Sequence, residues 1–139
     1  MESVIHLLIL TPYGRYFEGD VNFIEVRSED YTLGILPNHA PLISTLTISK
    51  MVIKAFKNTY VYAIGGGVIN VEKDKTTLIL DSVERSDEID IKRATEAKKR
   101  AEEMIADANK NTAVDINRAK LALLRAVNRI NVVGSKTKN

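Results

Sequence analysis

The sequence predicts a mixed β-then-α chain: an N-terminal antiparallel β-sandwich or barrel over residues 1–85, then a C-terminal antiparallel helical hairpin with a short polar tail over residues 86–139. Two observations predict it. All three prolines, all eight aromatic residues and six of the seven glycines lie at or before Gly67, and no further glycine appears until Gly134. The first part is rich in Val, Ile and Thr, and the second in Ala, Lys, Arg and Glu. Gly and Pro punctuate short strands, whereas Ala and long unbranched side chains favour helix.

The β region falls into short runs of strand formers. Val4–Leu10 ends at the turn Thr11-Pro12-Tyr13-Gly14, Val21–Arg27 alternates, Ser28-Glu29-Asp30 is a hairpin connection and Tyr31–Leu36 returns. Ile43–Leu46 and Met51–Phe56 follow, then the Lys57-Asn58 turn and Thr59–Ile64. Gly65-Gly66-Gly67, Val68–Val71, the Glu72–Lys75 turn and Thr76–Val83 complete the set. About eight to ten strands at this spacing indicate a sandwich or barrel. With no helical pattern long enough for a crossover, a parallel sheet is not expected.

The helical region opens at Ser86-Asp87-Glu88, read as an N-cap with acids suited to the helix dipole. Ala94, Ala97, Ala101, Met104 and Ala108 recur at steps of three and four. Asn109-Lys110-Asn111 interrupts the run, Thr112 with Asp115 resembles a capping box, and Ile116, Ala119, Leu123, Ala126 and Ile130 repeat the spacing. Two equal stripes joined by a short polar turn make an antiparallel hairpin. Its first seam is nearly all alanine and buries little area, so the hairpin is expected to be weakly held and sensitive to anything that binds it.

Several function classes drop out on composition. The chain has no cysteine and only two histidines, which removes disulfides, thiolate metal sites and cysteine nucleophiles and leaves little for zinc. Val4–Leu10 is too short to span a bilayer and lacks the flanks of a signal peptide. The expectation is a soluble protein in a reducing compartment, meeting a membrane only through a partner. The net charge of +2 divides into −2 over residues 1–86 and +4 over residues 87–139. A basic helical end suits an acidic protein surface, a nucleotide or a nucleic acid.

No catalytic constellation emerges. No Lys-Ser or Lys-Thr follows Gly65-Gly66-Gly67, so it reads as a bulge or tight turn where backbones approach closely. His39, in the proline-bracketed Leu36–Pro41 loop, reads as a hydrogen-bonded structural histidine rather than a base for Ser44. The hairpin is more informative: Arg93 and Arg100 share a face of the first helix, and Arg118, Arg125 and Arg129 form a stripe on the second. If the hairpin closes, guanidiniums could converge near Asp90 and Glu84 on a polyanion such as a nucleoside triphosphate; ordinary exposed ion pairing is the alternative.

Four segments together resemble the epsilon subunits of bacterial F-type ATP synthases. They are Gly34–Leu42, Ile64–Val68, Glu84–Asp90 and the arginine-alanine pattern Arg118-Ala119, Arg125-Ala126 and Arg129-Ile130. The likeness covers essentially the whole chain. It implies a non-catalytic central-stalk rotor subunit coupling ion translocation through the c-ring to ATP synthesis. Its sandwich would dock on the gamma subunit and c-ring, and its hairpin could extend along gamma to meet the beta and alpha subunits of the catalytic head and inhibit hydrolysis. The location implied is peripheral, on the cytoplasmic side of the bacterial cell membrane, with no required cofactor and no nucleic acid.

Some members of that family bind ATP on the folded hairpin through an (Ile/Leu)-Asp-x-x-Arg-Ala motif, which Ile89, Asp90, Arg93 and Ala94 match here. By the same resemblance, Glu84, Arg100, Arg125 and Arg129 complete an ATP-binding set, with ATP as a regulatory ligand. The inter-helix turn is slightly longer than in those members, and Gly67 and Ser86 depart from the commoner residues. The alternative reading is a β-barrel nucleic-acid-binding module with a basic helical tail. Against it, the β part is net acidic and lacks a basic-aromatic face.

Overall fold

The computed structural model describes residues 3–108, 110 and 115–135. Eight strands come first: β1 (Ile5–Thr11), β2 (Gly14–Val21), β3 (Phe23–Arg27), β4 (Thr32–Ile35), β5 (Leu42–Ala55), β6 (Asn58–Val71), β7 (Thr76–Leu80) and β8 (Val83–Arg85). A 3-10 turn at Ser86–Glu88 leads to α1 (Ile91–Ala108) and α2 (Ile116–Val133). The strands run in the order β2-β1-β7-β6-β5-β3-β4, with β8 added to β6.

Two layers arise because β5 and β6, each 14 residues long, belong to both. Where β5 and β6 pair over Leu42–Leu46 and Gly67–Val71, β7 extends the layer and β1 and β2 follow. Nearer the β5–β6 turn, β8 pairs with Tyr62–Ile64 while β3 pairs with Val52–Lys54 and carries β4. The sequence pattern showed each long strand as two short ones, since the change of layer interrupts the alternation. In β6 the change occurs at the three glycines. Gly67 has φ +150°, and a Cβ there would overlap the carbonyl oxygen of Ile79 on β7, so only glycine fits.

Four other departures from the sequence expectation stand out. Val21–Arg27 is broken at Asn22, whose N–H donates to the Lys54 carbonyl while its Oδ1 accepts from Phe56 N. Thr76–Val83 is likewise divided between β7 and β8. The edge strand β2 shows only Val21 buried, so it carries no alternating apolar signal. One pair is parallel: β1 with β7, from Leu7↔Thr76 to Leu10↔Ile79. No helical crossover is needed, because the chain joining them winds through both layers as the five intervening strands.

Alternate residues of each strand fill the space between the layers. Leu7 and Ile9 of β1, Ile24 and Val26 of β3, Met51 of β5, Ile69 of β6 and Leu78 of β7 are all fully buried. The hairpin lies outside this core. Ala94 and Ala101 of α1 and Ala119 and Ala126 of α2 are buried along the helix–helix seam, on the spacing the sequence suggested. Met104, placed in the same seam by periodicity, is exposed. α2 packs on β5, β6 and the 3-10 turn, whereas α1 rests mainly on α2. A separate small cluster of Val132, Val61 and Ala63, with Ile89 beside it, seats the hairpin on the sandwich.

Candidate functional site at the sandwich–hairpin junction

The site begins with the start of α1. Asp90, not Ser86, caps this helix: its Oδ1 accepts from the backbone N–H groups of Lys92 at 3.1 Å and Arg93 at 3.2 Å. Ser86 is buried in the 3-10 turn, where Asp87 and Glu88 face the Arg85 guanidinium at 2.6 and 3.7 Å. The Arg85 hydrogen bond holds the Asp87 carboxyl below the usual carboxylate range. Arg85 also lies over the Tyr60 ring at 5.8 Å. The chain is thus turned tightly before α1, which brings Glu84 on β8 close to the helix start.

At α2 the capping residue is Asp115, whose side chain accepts from Arg118 N at 3.2 Å. Thr112, the other half of the suggested capping box, lies outside the described residues, as do Asn109 and Asn111. Arg118 gives its backbone N–H to this cap, and its side chain does not line the junction hollow. Further along α2, Arg125 and Arg129 come round to the sandwich.

These elements enclose a hollow of about 300 Å³ lined by Glu84, Glu88, Ile89, Asp90, Arg93, Ala94, Ala97, Arg100 and Arg129. It therefore gathers the sequence-derived residues Glu84, Ile89, Asp90, Arg93, Ala94, Arg100 and Arg129. Arg125 stands next door, in a smaller hollow that shares Glu84 and Arg129 with the first. The Arg129 Nε donates to the Glu84 Oε1 at 2.6 Å, with both side chains about a third exposed. Among the described residues, Arg93, Arg100 and Arg125 have no carboxylate within 4 Å. One pre-paired and two unpaired guanidiniums bordering a hollow at a helix N-terminus favour an anion with several oxygens. Asp90 and Glu84 add hydrogen-bond acceptors on the same rim.

Asn128 was missed from the sequence. Its Nδ2 donates to the carbonyl oxygens of Ser49 at 2.9 Å and Ile64 at 3.4 Å. Val132, buried against the sandwich, was missed with it. The signal was a second stripe on α2, Arg125-Asn128-Arg129-Val132, offset from the apolar seam.

Elsewhere His39 donates through Nδ1 to the Ala40 carbonyl at 2.6 Å, while Ser44 contacts Tyr31 and Thr45. Among the described residues, no group of three or more His, Cys, Asp and Glu side chains is placed to hold a metal, and no helix is long and apolar enough to cross a membrane.

Fold and site define a two-part protein: a two-layer sandwich carrying a helical hairpin, with a hollow where they meet that is lined by three guanidiniums and three carboxylates. Residues 4–86 match the model of the ATP synthase delta/epsilon chain β-sandwich domain, and residues 87–134 match that of the same chain's long α-helix domain. The chain belongs to the delta/epsilon chain family of ATP synthases. It is 43% identical over 128 residues to the ATP synthase epsilon chain of Bacillus mycoides, covering 92% of this chain and 95% of that one. It is 38% identical over 130 residues to the epsilon chain of Halalkalibacterium halodurans, covering 94% and 97%. A solved mitochondrial ATP synthase of Euglena gracilis contains a similar chain at a TM-score of 0.77 and 18% identity, over 91% of this chain and 79% of that chain, a likeness of fold. Family membership displaces the nucleic-acid-binding alternative.

Proposed function

We propose that the chain is a non-catalytic central-stalk subunit of an F-type ATP synthase whose hairpin senses ATP. The sandwich is the docking body, meeting the gamma subunit and the c-ring and so lying peripherally at the cytoplasmic side of the membrane. The hairpin is the regulatory part: folded on the sandwich it binds ATP, and extended along gamma it reaches the catalytic head and inhibits hydrolysis. Family membership supports the first statement, and the junction hollow supports the second.

The observation that carries ATP sensing is the composition of the hollow. Its volume of about 300 Å³ sits at the lower end of the range for small-molecule sites. Arg93 and Arg100 supply phosphate-binding forks without an ion pair to break first. The Glu84–Arg129 pair must open or share its oxygen with a ligand, which makes Glu84 a natural partner for a base or ribose. ATP bound there touches sandwich, α1 and α2 together, so it stabilises the folded hairpin by its difference in affinity for the two shapes. Moving the hairpin from 1:99 to 99:1 would need about 5.5 kcal/mol of such difference, so control is graded.

Calorimetric titration of the full chain with ATP, alongside Arg93→Ala, tests the reading. Saturable binding in the wild type with at least tenfold weakening in the variant is expected. Equal affinity in the two proteins would remove the site, and no binding by either would leave a stalk subunit whose hairpin is not controlled by nucleotide.

A further inference from the structure

Among the described residues, contacts of three kinds hold the docked hairpin: the apolar seat of Val132 on Val61 and Ala63, the Arg129–Glu84 pair, and the Asn128 amide. The third is the directional one. Apolar contact tolerates sliding, and a long-armed, partly exposed ion pair follows small shifts of the helix. Asn128 instead places one short amide nitrogen against two fixed backbone oxygens, 2.9 Å from Ser49 O and 3.4 Å from Ile64 O. Ser49 on β5 and Ile64 on β6 are direct cross-strand partners, so the amide spans a strand pair and can give one hydrogen to each oxygen. The hollow beside it measures about 10 Å³, room for at most one water. The position also matters. Asn128 lies three residues after Arg125 and immediately before Arg129, so fixing it fixes the rotation of α2 that presents both guanidiniums at the junction.

We propose that Asn128 is a latch, whose amide sets the nucleotide-free docking of the hairpin by bridging the Ser49 and Ile64 carbonyls and thereby positions Arg125 and Arg129. Its regulatory meaning rests on the two-state hairpin proposed above, while its measurement needs no nucleotide. A ligand then adds to an equilibrium that this contact has already set.

The full chain has no cysteine, so Glu72→Cys on the sandwich and Lys120→Cys on α2, both exposed, accept a pair of spin labels. Pulsed dipolar distances without ATP report the docked fraction. Asn128→Leu keeps the bulk and removes the donor, and is expected to lower the docked-to-undocked ratio about fivefold, the effect of one ordinary hydrogen bond. Asn128→Asp sets an acceptor against two acceptors, and is expected to lower the ratio tenfold or more at pH 7. Below about pH 4 its protonated carboxyl can donate to one of the two oxygens. Acid also weakens the neighbouring Arg129–Glu84 pair in every variant. Recovery is therefore read as the variant's docked ratio relative to wild type at the same pH, which should rise towards one. The thermal midpoint of the sandwich serves as the control for folding and should not move at neutral pH. Docking of Asn128→Asp at pH 7 equal to wild type, or no rise in its docked ratio relative to wild type in acid, overturns the latch. If the variant undocks and recovers while calorimetry finds no ATP binding by the wild type, the latch stands and the nucleotide reading falls.

Discussion

The sandwich and the hairpin are held together by different amounts of the same force. In the sandwich, Leu7, Ile9, Ile24, Ile35, Met51, Ile69, Leu78 and Leu80 are all buried to within 1% of full. In the hairpin, the buried residues are Ala94, Ala101, Ala119 and Ala126 between the helices and Val132 against the sandwich. A buried branched side chain contributes about 1.5–3 kcal/mol and a methyl about 0.8 kcal/mol, so the four alanines together match one or two of the core residues. The chain therefore has a rigid body and an appendage whose attachment is within reach of a ligand's binding energy. Polar contacts close the difference at the junction, where Arg129 and Asn128 tie α2 to the sandwich.

The sharpest way to break that comparison is to damage the body alone. Gly67→Ala adds a methyl where the Ile79 carbonyl already stands, at a φ that side chains avoid, and is expected to cost the sandwich about 3 kcal/mol or more in urea denaturation. Because the hairpin docks on this body, it should be lost in the same transition. Damage to the appendage should not spread back. Ala126→Leu overfills the fully buried seam between α1 and α2 and is expected to cost about 1–3 kcal/mol of hairpin stability. Hydrogen exchange should quicken in α1 and α2 while the strand amides keep their protection.

The smallest expected effect is a pH term confined to the body. The hydrogen bonds from His6 to Glu18 at 3.0 Å and Asp20 at 3.2 Å raise its pKa from 6.5. A raised folded pKa stabilises while the imidazole is protonated in the folded state. The contribution is complete below the unfolded value near 6.5 and fades as pH rises through the folded value above it. The wild-type urea midpoint should therefore fall between pH 6 and pH 8 relative to His6→Gln, slightly, since the group is exposed. Hairpin docking, measured in the same two buffers, should not follow, because the helical half contains no histidine.

The two regions also differed in how far the sequence disclosed them. In the hairpin most of the seam was legible, because two helices meet closely along a stripe repeating every seven residues, and Ala94, Ala101, Ala119 and Ala126 lie on it, though Met104, placed there by the same periodicity, is exposed. The cap was misplaced, since Ser86-Asp87-Glu88 has the right composition but closes a 3-10 turn, leaving Asp90 to begin the helix. In the sandwich the strands were visible where one face is buried and lost where none is, as in β2. The passage of β5 and β6 between layers could not be seen, because pairing partners far apart in sequence decide it. In the candidate site, the residues of the Ile89–Ala94 motif and the partners carried by resemblance do meet around one hollow, apart from the neighbouring Arg125. Asn128 escaped because its partners are backbone oxygens, and these leave no trace in side-chain pattern.

The parallel pairing of β1 with β7 joins Leu7–Leu10 to Thr76–Ile79, closing a loop of most of the β region. Contacts so distant along the chain form late, after nearer hairpins such as β5–β6 have assembled. On a ribosome, which makes the chain from its amino terminus, β1 can pair early with β2 but must wait for β7 to be released before its other edge is covered. The helices are synthesised after that. Biosynthesis thus delivers the helical hairpin last, onto a platform already complete, and a stalled or truncated chain ending before Thr76 would leave the β1 edge exposed.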